Sequence, residues 1–431
     1  MSTNSVVSDR FDPASLLGAD TELHQLVDSL SGQHGSTDAR LARAIWSRVT
    51  EPGDAAAGEV IARVGPVTAM SLLMSKASTR SFEHALRDAS PEPLSLSAKQ
   101  LTTAIQRWRL RLDRAATAED LTTAASHGMR LLIPEDSDWP ESLNDLGTHT
   151  PHALWVRGDT ATLSHAALAV VGARACTGYG SQATADLTGE ACAAGFSIVS
   201  GAAYGVDAVA HRTALTMGAP TVAVLAGGAD RPYPASHDQL IARIIEQGAV
   251  CSELVPGSAP TRWRFLQRNR LISALARAIL VTEAGTRSGT LNTAGHGAEL
   301  GRVIGAVPGP ITSAASAGCH KLIREYGASL VTNGAEVLEL LGTHPESALF
   351  GDDFIEQDTG GSADRPPSMH LRILDALPLR GGRALTEVAQ RAGVTTQEAR
   401  DALTELELLR YVEQRVPANN GETLWVLIKR E

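Results

Sequence analysis

The chain has 431 residues, which exceeds one ordinary domain and predicts two or three. Its formal charge of -10 seems to argue against a nucleic-acid partner, but the acidic excess is not spread evenly along the chain. Residues 151–342 carry 14 basic and 13 acidic side chains, so the whole-chain charge does not exclude such a partner there. Four separated cysteines without a CxxC pair argue against a zinc site or a disulfide framework, and no apolar run reaches the ~20 residues of a membrane span. We therefore expect a cytoplasmic protein that does not span a membrane and that binds neither a metal nor a cofactor.

The N-terminal part is predicted to be helical. Residues 1–37 are polar and weakly patterned, and we expect them to be disordered. Residues 38–130 repeat apolar positions at helical spacing and predict a helical accessory domain. The turn Arg63-Val-Gly-Pro66 leaves two interpretations open, a hairpin whose amides face DNA phosphates or a loop between packed helices. The acidic excess of this part favours the packed loop.

Residues 131–342 predict an α/β core. Segments 131–143 and 154–158 indicate two short strands around a helix, which lead into the main sheet. Short apolar runs then alternate with amphipathic segments, the pattern of buried parallel strands with crossover helices. The predicted strands are 167–171, 196–200, 221–226, 249–252, 278–282 and 304–307, with helices beginning near His211, Ser236, Arg268 and Thr290. The expected fold class is α/β, a doubly wound parallel sheet of at least six strands.

The C-terminal part is predicted to be a separate domain. Residues 343–368 are acidic, contain Gly and Pro and lack periodicity, which indicates a linker. Residues 369–431 predict three short helices and a strand hairpin, the winged-helix layout. Its recognition-type helix, 396–409, has few basic residues against several acidic ones, so protein contact or weak DNA contact is favoured over sequence-specific reading.

Three glycine-rich turns follow predicted strands of the core, over residues 171–180, 200–207 and 283–290. Because the carboxyl ends of parallel strands meet at one sheet edge, we expect these turns to lie together, where backbone N–H groups bind ligands. The first turn is not a dinucleotide fingerprint, since Arg174 stands where a second close-approach glycine belongs. Arg174 and Arg287 add guanidinium groups suited to phosphate oxygens. The turns therefore predict a polyanionic ligand.

An arginine cluster, Thr261-Arg-Trp-Arg-Phe-Leu-Gln-Arg-Asn-Arg270, precedes the third turn. It can be a solvated helix face with Trp263 and Phe265 in the core. Alternatively, if Asn269 caps a helix, cations and free N–H groups would share one opening. Bases could then stack on an exposed ring nearby, as in sequence-tolerant single-strand binding.

Catalytic groups are harder to assemble from this sequence. The acids of the core loops include Asp207, Glu253 and Glu283, but no Ser-His-Asp order, HExxH motif or metal spacing links them to the histidines. His211 follows Asp207 by four residues, a spacing that more often satisfies a structural hydrogen bond than acid–base chemistry. The sequence therefore favours binding over catalysis.

Taken together, these motifs resemble the DNA-processing protein A (DprA, also called Smf) family. The matching blocks are Gly172-Ala-Arg174, Ser200–Asp207, Ala223–Asp230, Tyr233-Pro234, Arg268–Ser273, Arg287–Thr290, Ala306–Gly309 and Gly318–Ile323. The resemblance is close over residues 131–342 and loose over the flanking domains. It implies that residues 38–130 form an accessory domain of the SAM or helix-hairpin-helix type.

The resemblance implies an extended Rossmann-like fold that binds and protects single-stranded DNA. It also implies loading of RecA recombinase onto incoming strands during natural transformation, and a homodimer formed through the core. No enzymatic activity is implied. One departure is Tyr204, which stands where the family often has Arg; a cation is lost there, although the ring could stack on a base.

Two other classes remain as alternatives. Related Rossmann-like phosphoribohydrolases of nucleoside monophosphates carry glutamates after a Gly-Thr turn, whereas Gly289-Thr290 is followed here by Leu, Asn and Thr. A winged-helix regulator with a ligand-sensing core would bind duplex DNA sequence-specifically.

The sequence and the resemblance together predict one DNA- and phosphate-binding site. Its residues are Gly172, Ala173, Arg174, Thr177, Ser200, Gly201, Tyr204, Gly205, Arg268, Asn269, Arg270, Arg287, Ser288, Gly289 and Thr290.

Overall fold

The computed structural model describes residues 20–31, 36–90, 92–286, 288–343, 370, 373–374, 376–378, 381–392, 394–408, 410–415 and 423–428. The chain divides into two compact units, Met1–His344 and Pro345–Glu431. The expectations for residues 1–19, for the linker at 344–368 and for Arg287 lie outside the described residues.

The first unit begins with helices. They are α1 (Thr21–Ser29), α2 (Thr37–Val49), α3 (Ala55–Val64), α4 (Pro66–Met74), α5 (Thr79–Ala89), α6 (Ala98–Leu110) and α7 (Arg114–Ser126). Trp46 and Trp108 lie at their centre, with ring centroids 5.2 Å apart in an edge-to-face arrangement. This apolar cluster also contains Trp155 and Val255 of the α/β part, so the helices pack directly on the sheet region.

Helix α1 corrects the expectation of disorder for residues 21–29. Asp20 caps the helix by accepting a hydrogen bond from the Leu23 backbone, and its carboxylate also pairs with Arg114. Leu23 and Val27 are fully buried against the neighbouring helices. A short amphipathic segment thus becomes ordered through tertiary packing, which weak local patterning does not reveal.

The turn at Arg63–Pro66 joins two packed helices. Gly65, at φ 78°, is the single residue between α3 and α4. The Arg63 guanidinium donates to the carbonyls of Glu92 and Pro93 and pairs with Glu59. These contacts engage the cation within the helical region and favour the packed-loop interpretation.

Within the described residues, the sheet of the first unit has nine strands in the order β1-β2-β6-β5-β4-β3-β7-β8-β9. They are β1 (Arg130–Leu132), β2 (Leu154–Gly158), β3 (Ala167–Val171), β4 (Ser197–Ser200), β5 (Thr221–Val224), β6 (Ala249–Ser252), β7 (Ala278–Val281), β8 (Val303–Ala306) and β9 (Ser329–Leu330). Strands β3 to β9 are mutually parallel, while β1 and β2 form an antiparallel extension beside β6.

Helices cover both faces of this sheet. They are α8 (Gly178–Ala193), α9 (Val206–Met217), α10 (Asp238–Gln247), α11 (Arg262–Ala274), α12 (Thr290–Glu299), α13 (Ala317–Glu325) and α14 (Gly334–Leu340). Ala169 and Val171 of β3 belong to the apolar layer shared with α11 and α12, whereas Leu168 and Val170 belong to the layer shared with α8 and α9. The predicted doubly wound parallel sheet is confirmed.

The chain order creates a switch point between β3 and β7. From β3 the chain builds β4, β5 and β6 on one side, then returns to place β7 on the other side of β3. The loops that follow β3 and β7 therefore diverge, and the gap between them is where such sheets bind ligands.

The second unit contains α15 (Leu385–Ala392), α16 (Thr396–Leu408) and a three-stranded sheet in the order β10-β12-β11. The strands are β10 (Arg383–Ala384), β11 (Val412–Arg415) and β12 (Leu424–Leu427). Val388, Leu403 and Trp425 lie in its apolar core. The winged-helix arrangement itself stays a prediction.

Among the described residues, no single helix is both long and apolar enough to cross a membrane. Helices α3 and α4 pass that test only as a pair, and the pair bends by 110°.

Candidate nucleic-acid interface

The first glycine-rich turn is held by the buried carboxylate of Glu283. The Ala173 backbone N–H donates to the carbonyl of Glu283 at 2.7 Å. The Thr177 backbone N–H and hydroxyl donate to the two Glu283 carboxylate oxygens, each at 2.8 Å, and Thr177 caps α8. A side chain at Gly172 would collide with Val206. The turn is therefore rigid, and its exposed Arg174 projects from a fixed backbone.

The second turn folds around Asp207. Its carboxylate accepts hydrogen bonds from the backbone N–H groups of Gly201 and Ala203. Gly205 has φ 75°, and a Cβ there would overlap the Ala173 carbonyl, so the first two turns touch through backbone that admits only glycine. Tyr204 is 49% exposed, and its hydroxyl hydrogen-bonds with Ser236 at 2.7 Å.

The third turn forms the N-terminus of α12. Ser288 accepts a hydrogen bond from the Thr290 backbone N–H and donates one to the Thr290 hydroxyl. The Asn269 side-chain amide donates to Asn292 at 3.1 Å and to the Gly289 carbonyl at 3.4 Å, which ties this turn to α11. The helix N-terminus gives this edge a partial positive charge.

Helix α11 begins earlier than the sequence predicts. Thr261 caps it by accepting from the Arg264 backbone, and the helix starts at Arg262. The expected helix start near Arg268 is therefore wrong, and so is the interpretation of the cluster in which Asn269 caps the helix, because these residues lie within the helix. Successive residues of an α-helix are rotated by about 100° around its axis, so the side chains of Arg268, Asn269 and Arg270 reach different surroundings.

Arg268 is directed beneath the second turn and is only 6% exposed. Its Nη1 donates to the Val224 carbonyl at 2.7 Å, and the guanidinium fills the space that a side chain at Gly201 would occupy. Burial lowers the pKa of Arg268 to about 10, with Asp207 opposing that shift and Arg174 adding to it. The side chain therefore remains a cation at neutral pH. Burial has the opposite effect on the acid Asp207 and raises its pKa, although the positive charge of Arg268 opposes that rise.

A cavity of about 680 Å³ opens where these elements meet. Its lining includes Gly172, Ala173, Arg174, Ala203, Asp207, Tyr233, Arg262, Phe265, Arg268, Asn269, Ser288, Gly289 and Thr290. The rings of Phe265 and Tyr233 have centroids 5.7 Å apart. The Arg174 guanidinium lies 5.0 Å from the Phe265 ring centroid, and that of Arg268 lies 5.9 Å away. Cations thus surround an aromatic wall.

Comparison with known proteins assigns this architecture to a family. A family model described as DNA recombination-mediator protein A matches residues 130–342. The DNA processing protein DprA of Mycobacterium tuberculosis (strain H37Rv) is 42% identical over 319 residues, which cover 71% of this chain and 80% of the relative. The Smf protein of Escherichia coli K12 is 37% identical over 289 residues, covering 65% of this chain and 74% of the relative. The crystal structure of DNA processing protein A from Streptococcus pneumoniae aligns with a TM-score of 0.57 and 28% identity, over 72% of this chain and all of that one. This chain belongs to the DprA/Smf family.

The DprA/Smf core brings most of the predicted site residues to one cavity, but two of them have structural positions. Ser200 is fully buried, and its hydroxyl donates to the Val170 carbonyl at 2.6 Å, which joins β4 to β3. Arg270 points away from the cavity and pairs with buried Glu253 at 2.7 Å. The assignment of Ser200 and Arg270 as phosphate ligands is therefore corrected. Thr177, Tyr204 and Gly205 lie beside the cavity, in the turns that shape it.

Arg262 and both aromatic residues of this DprA/Smf cavity are missing from the predicted site residues. The sequence allows Phe265 to lie in the core and shows Tyr233 only as part of a motif, yet both rings line the opening. Trp263 was also weighed as core, but it is 57% exposed. The alternation of arginines and aromatic residues in 262–265 was the available signal, because stacking sites for bases combine those side chains.

The acids of this DprA/Smf site are engaged in the fold. Glu283 and Asp207 accept hydrogen bonds from backbone groups of the turns they support. His211 is fully buried, and burial lowers its pKa to about 3, with the charge of Arg268 adding to the effect. The arrangement suits binding of an anion with an adjoining flat, apolar group.

Proposed function

We propose that this protein binds single-stranded DNA in the cavity between the β3 and β7 loops. The observation that carries the proposal is the convergence of three arginines, Arg174, Arg262 and Arg268, on the wall formed by Phe265 and Tyr233. Guanidinium groups and the N-terminus of α12 address phosphate oxygens, while the rings accept an unstacked base. Neither Arg174 nor Arg262 makes an ion pair within the described part of the chain, so both cations are open to a ligand.

Single strands fit this site better than duplex DNA. In a duplex the bases are paired and stacked, so a ring in a recess cannot reach their faces. A single strand can place one base against Phe265 while its phosphates contact the arginines at the rim. Since every base has a π-face, we expect weak sequence dependence.

The proposed cellular role is mediation of recombination. Membership of the DprA/Smf family supports a protein that protects incoming single strands and loads RecA recombinase onto them during natural transformation. The engagement of Asp207 and Glu283 in backbone hydrogen bonds supports binding without catalysis. Assembly of RecA on single strands already covered by single-strand-binding protein tests the loading role; no acceleration by this protein would contradict it.

A homodimer is proposed on a separate observation. Strand β9 lies at one edge of the sheet, and Leu330 on it is 50% exposed. Tyr326, just before that strand, is 60% exposed. Within the part of the chain that the structure describes, no further strand pairs with this edge, and an open edge with apolar side chains suits a symmetric contact between two copies. Sedimentation at micromolar concentration tests this, and a monomer at every concentration would contradict it.

Fluorescence anisotropy of labelled oligonucleotides tests the DNA proposal. Single-stranded and duplex DNA of equal length are compared at two salt concentrations. We expect preference for the single strand and a salt slope of about -1.4 to -2.1, as two or three phosphate contacts would give. Equal affinity for the duplex, or binding that ignores salt, would contradict the proposal.

A further inference from the structure

Helix α11 presents a second face to the helical region at the N-terminal side of the chain. Phe265, Arg268 and Asn269 line the cavity on one face. The other face carries three polar side chains spaced three residues apart, Arg264, Gln267 and Arg270. Arg264 and Gln267 lie against the turn between α2 and α3, and Arg270 pairs with the carboxylate of Glu253 beside that turn. This turn, residues 51–54, is called the α2–α3 turn below.

Glu51 in the α2–α3 turn holds Arg264 with both carboxylate oxygens. Arg264 Nη2 lies 2.9 Å from Glu51 Oε1, and Arg264 Nε lies 3.1 Å from Oε2. Arg111, from the end of α6, donates to the same Oε1 at 2.9 Å. Burial raises the pKa of Glu51, but its hydrogen bond with Arg264 and the charges of Arg264 and Arg111 outweigh burial and leave the pKa below its ordinary value. The carboxylate is therefore ionised at neutral pH and fixed in a two-pronged geometry.

Gly53 brings the backbone of the same turn against α11. Its N–H donates to Glu253 Oε1 at 3.3 Å, the oxygen that also accepts from Arg270 at 2.7 Å. Gly53 has φ 73°, and a Cβ there would lie 2.6 Å from the side-chain oxygen of Gln267. The turn thus lies close to three positions of the helix that are three residues apart, Arg264, Gln267 and Arg270.

These contacts bear on the cavity because a helix rotates as a unit. Arg264 directly precedes Phe265 and lies one turn before Arg268, so the direction of Arg264 sets where the ring and the buried cation point. Arg264 itself is not part of the cavity lining, and Glu51 and the Ala259 carbonyl occupy its donors. We propose that Glu51 is a positioning residue for the single-stranded DNA site, acting through Arg264 to hold α11 in its binding orientation.

This inference rests on the proposed function and predicts a sign opposite to simple electrostatics. If Glu51 were only a negative charge near a DNA site, removing it would free two arginines and tighten binding. If it positions α11, removing it weakens binding although the site becomes more positive. Because Glu51 and Arg264 do not touch DNA in this account, the salt slope stays unchanged in either variant.

The test measures single-stranded DNA affinity of the full chain with Glu51→Gln, Arg264→Gln and both together. We expect each single variant to bind single-stranded DNA about three- to tenfold more weakly than the wild type. The double variant should have about the affinity of the single variant that binds less tightly, because both substitutions break the same contact. Glu51→Asp, which keeps the charge, should recover part of the loss. Glu22→Gln is the matched control, because Glu22 also accepts from an arginine, Arg114 at 3.0 Å, on the helical region.

Each outcome decides the inference. Tighter binding or a steeper salt slope in Glu51→Gln would assign Glu51 a purely electrostatic effect and overturn it. A lower melting temperature with unchanged affinity well below that temperature would assign a purely structural role and also overturn it. If the wild type binds and Arg174→Ala weakens binding while Glu51→Gln does not, only this inference fails. If the wild type does not bind single strands, the proposed function fails and this inference with it.

Discussion

Two stretches of this chain carry nearly the same residues but differ in their surroundings. Residues 107–110 of α6 and 262–265 of α11 both read Arg-Trp-Arg followed by an apolar residue. In α6, Trp108 is fully buried, whereas in α11 Trp263 is 57% exposed. The same local composition therefore supplies a core anchor in one helix and an open aromatic surface in the other.

The arginines differ in the same way. Arg107 pairs with Asp54 at 2.6 Å, and Arg109 donates to the carbonyls of Leu73 and Ala77. Of the α11 pair, Arg264 is held by Glu51, but Arg262 lines the cavity without an ion pair in the described residues. What separates a structural stretch from a ligand-facing one is the set of acceptors that the fold brings to it from elsewhere in the chain.

The largest expected difference is in stability. Trp108→Ala removes a fully buried ring at the centre of the helical core and should lower the free energy of unfolding by about 3 to 5 kcal/mol. Trp263→Ala removes a largely exposed ring and should change it by less than about 1 kcal/mol. Urea unfolding of both variants measures this, and similar losses would contradict the contrast between the two stretches.

Two buried histidines predict a loss of stability in acid. Burial lowers the pKa of His152, which packs against Trp46, to about 3, and it lowers the pKa of His211 to about 3 together with the charge of Arg268. Because the unfolded chain takes up these protons below about pH 6.5 and the folded chain does not, stability is full above that pH and falls as the pH drops toward 3.

For each of these histidines the expected loss between pH 7 and pH 5 is about 2 kcal/mol. His211→Gln should therefore reduce the pH dependence of the unfolding free energy by about that amount, measured by urea titration at both values. A pH dependence identical to that of the wild type would show that folding does not lower the pKa of His211.

In DNA affinity, Arg174 should matter more than Arg262. Arg174 projects from a turn fixed by Glu283 and lies over the Phe265 ring, so little ordering is needed on binding. We expect Arg174→Ala to weaken single-strand binding by about tenfold or more and Arg262→Ala by about threefold. Titrations at matched salt measure both, with melting temperatures as a check on folding. The reverse order would make the start of α11 the primary phosphate site.

The smallest expected effect separates the two stretches directly. Arg262→Ala should reduce the salt slope by about 0.7, the value for one phosphate contact on a single strand. Arg107→Ala should leave both the slope and the affinity unchanged, because Arg107 is held by Asp54. A reduced slope in Arg107→Ala would extend the DNA path onto the helical region.

Much of the core could be predicted because its strands are buried on both faces. Runs such as Ala167–Val171 and Ala278–Val281 are apolar throughout, which separates them from amphipathic helices in the sequence. The turns could also be placed, since parallel strands end at one edge. Helix α11 could not be bounded in the same way, because its buried positions include Arg268, Asn269 and Arg270, which polarity assigns to a helix end or a surface.

The sequence by itself determined the order of strands and helices and the meeting of three glycine-rich turns, because both depend on local patterns of apolar residues and glycine. Only the tertiary structure decided which polar side chains remain free. The Ser200 hydroxyl donates to a carbonyl 30 residues away in the chain, and the Arg264 guanidinium donates to a carboxylate 213 residues away. A hydrogen bond or an ion pair needs its partner within about 3 to 4 Å, and that distance is set by the fold rather than by the neighbours in the chain.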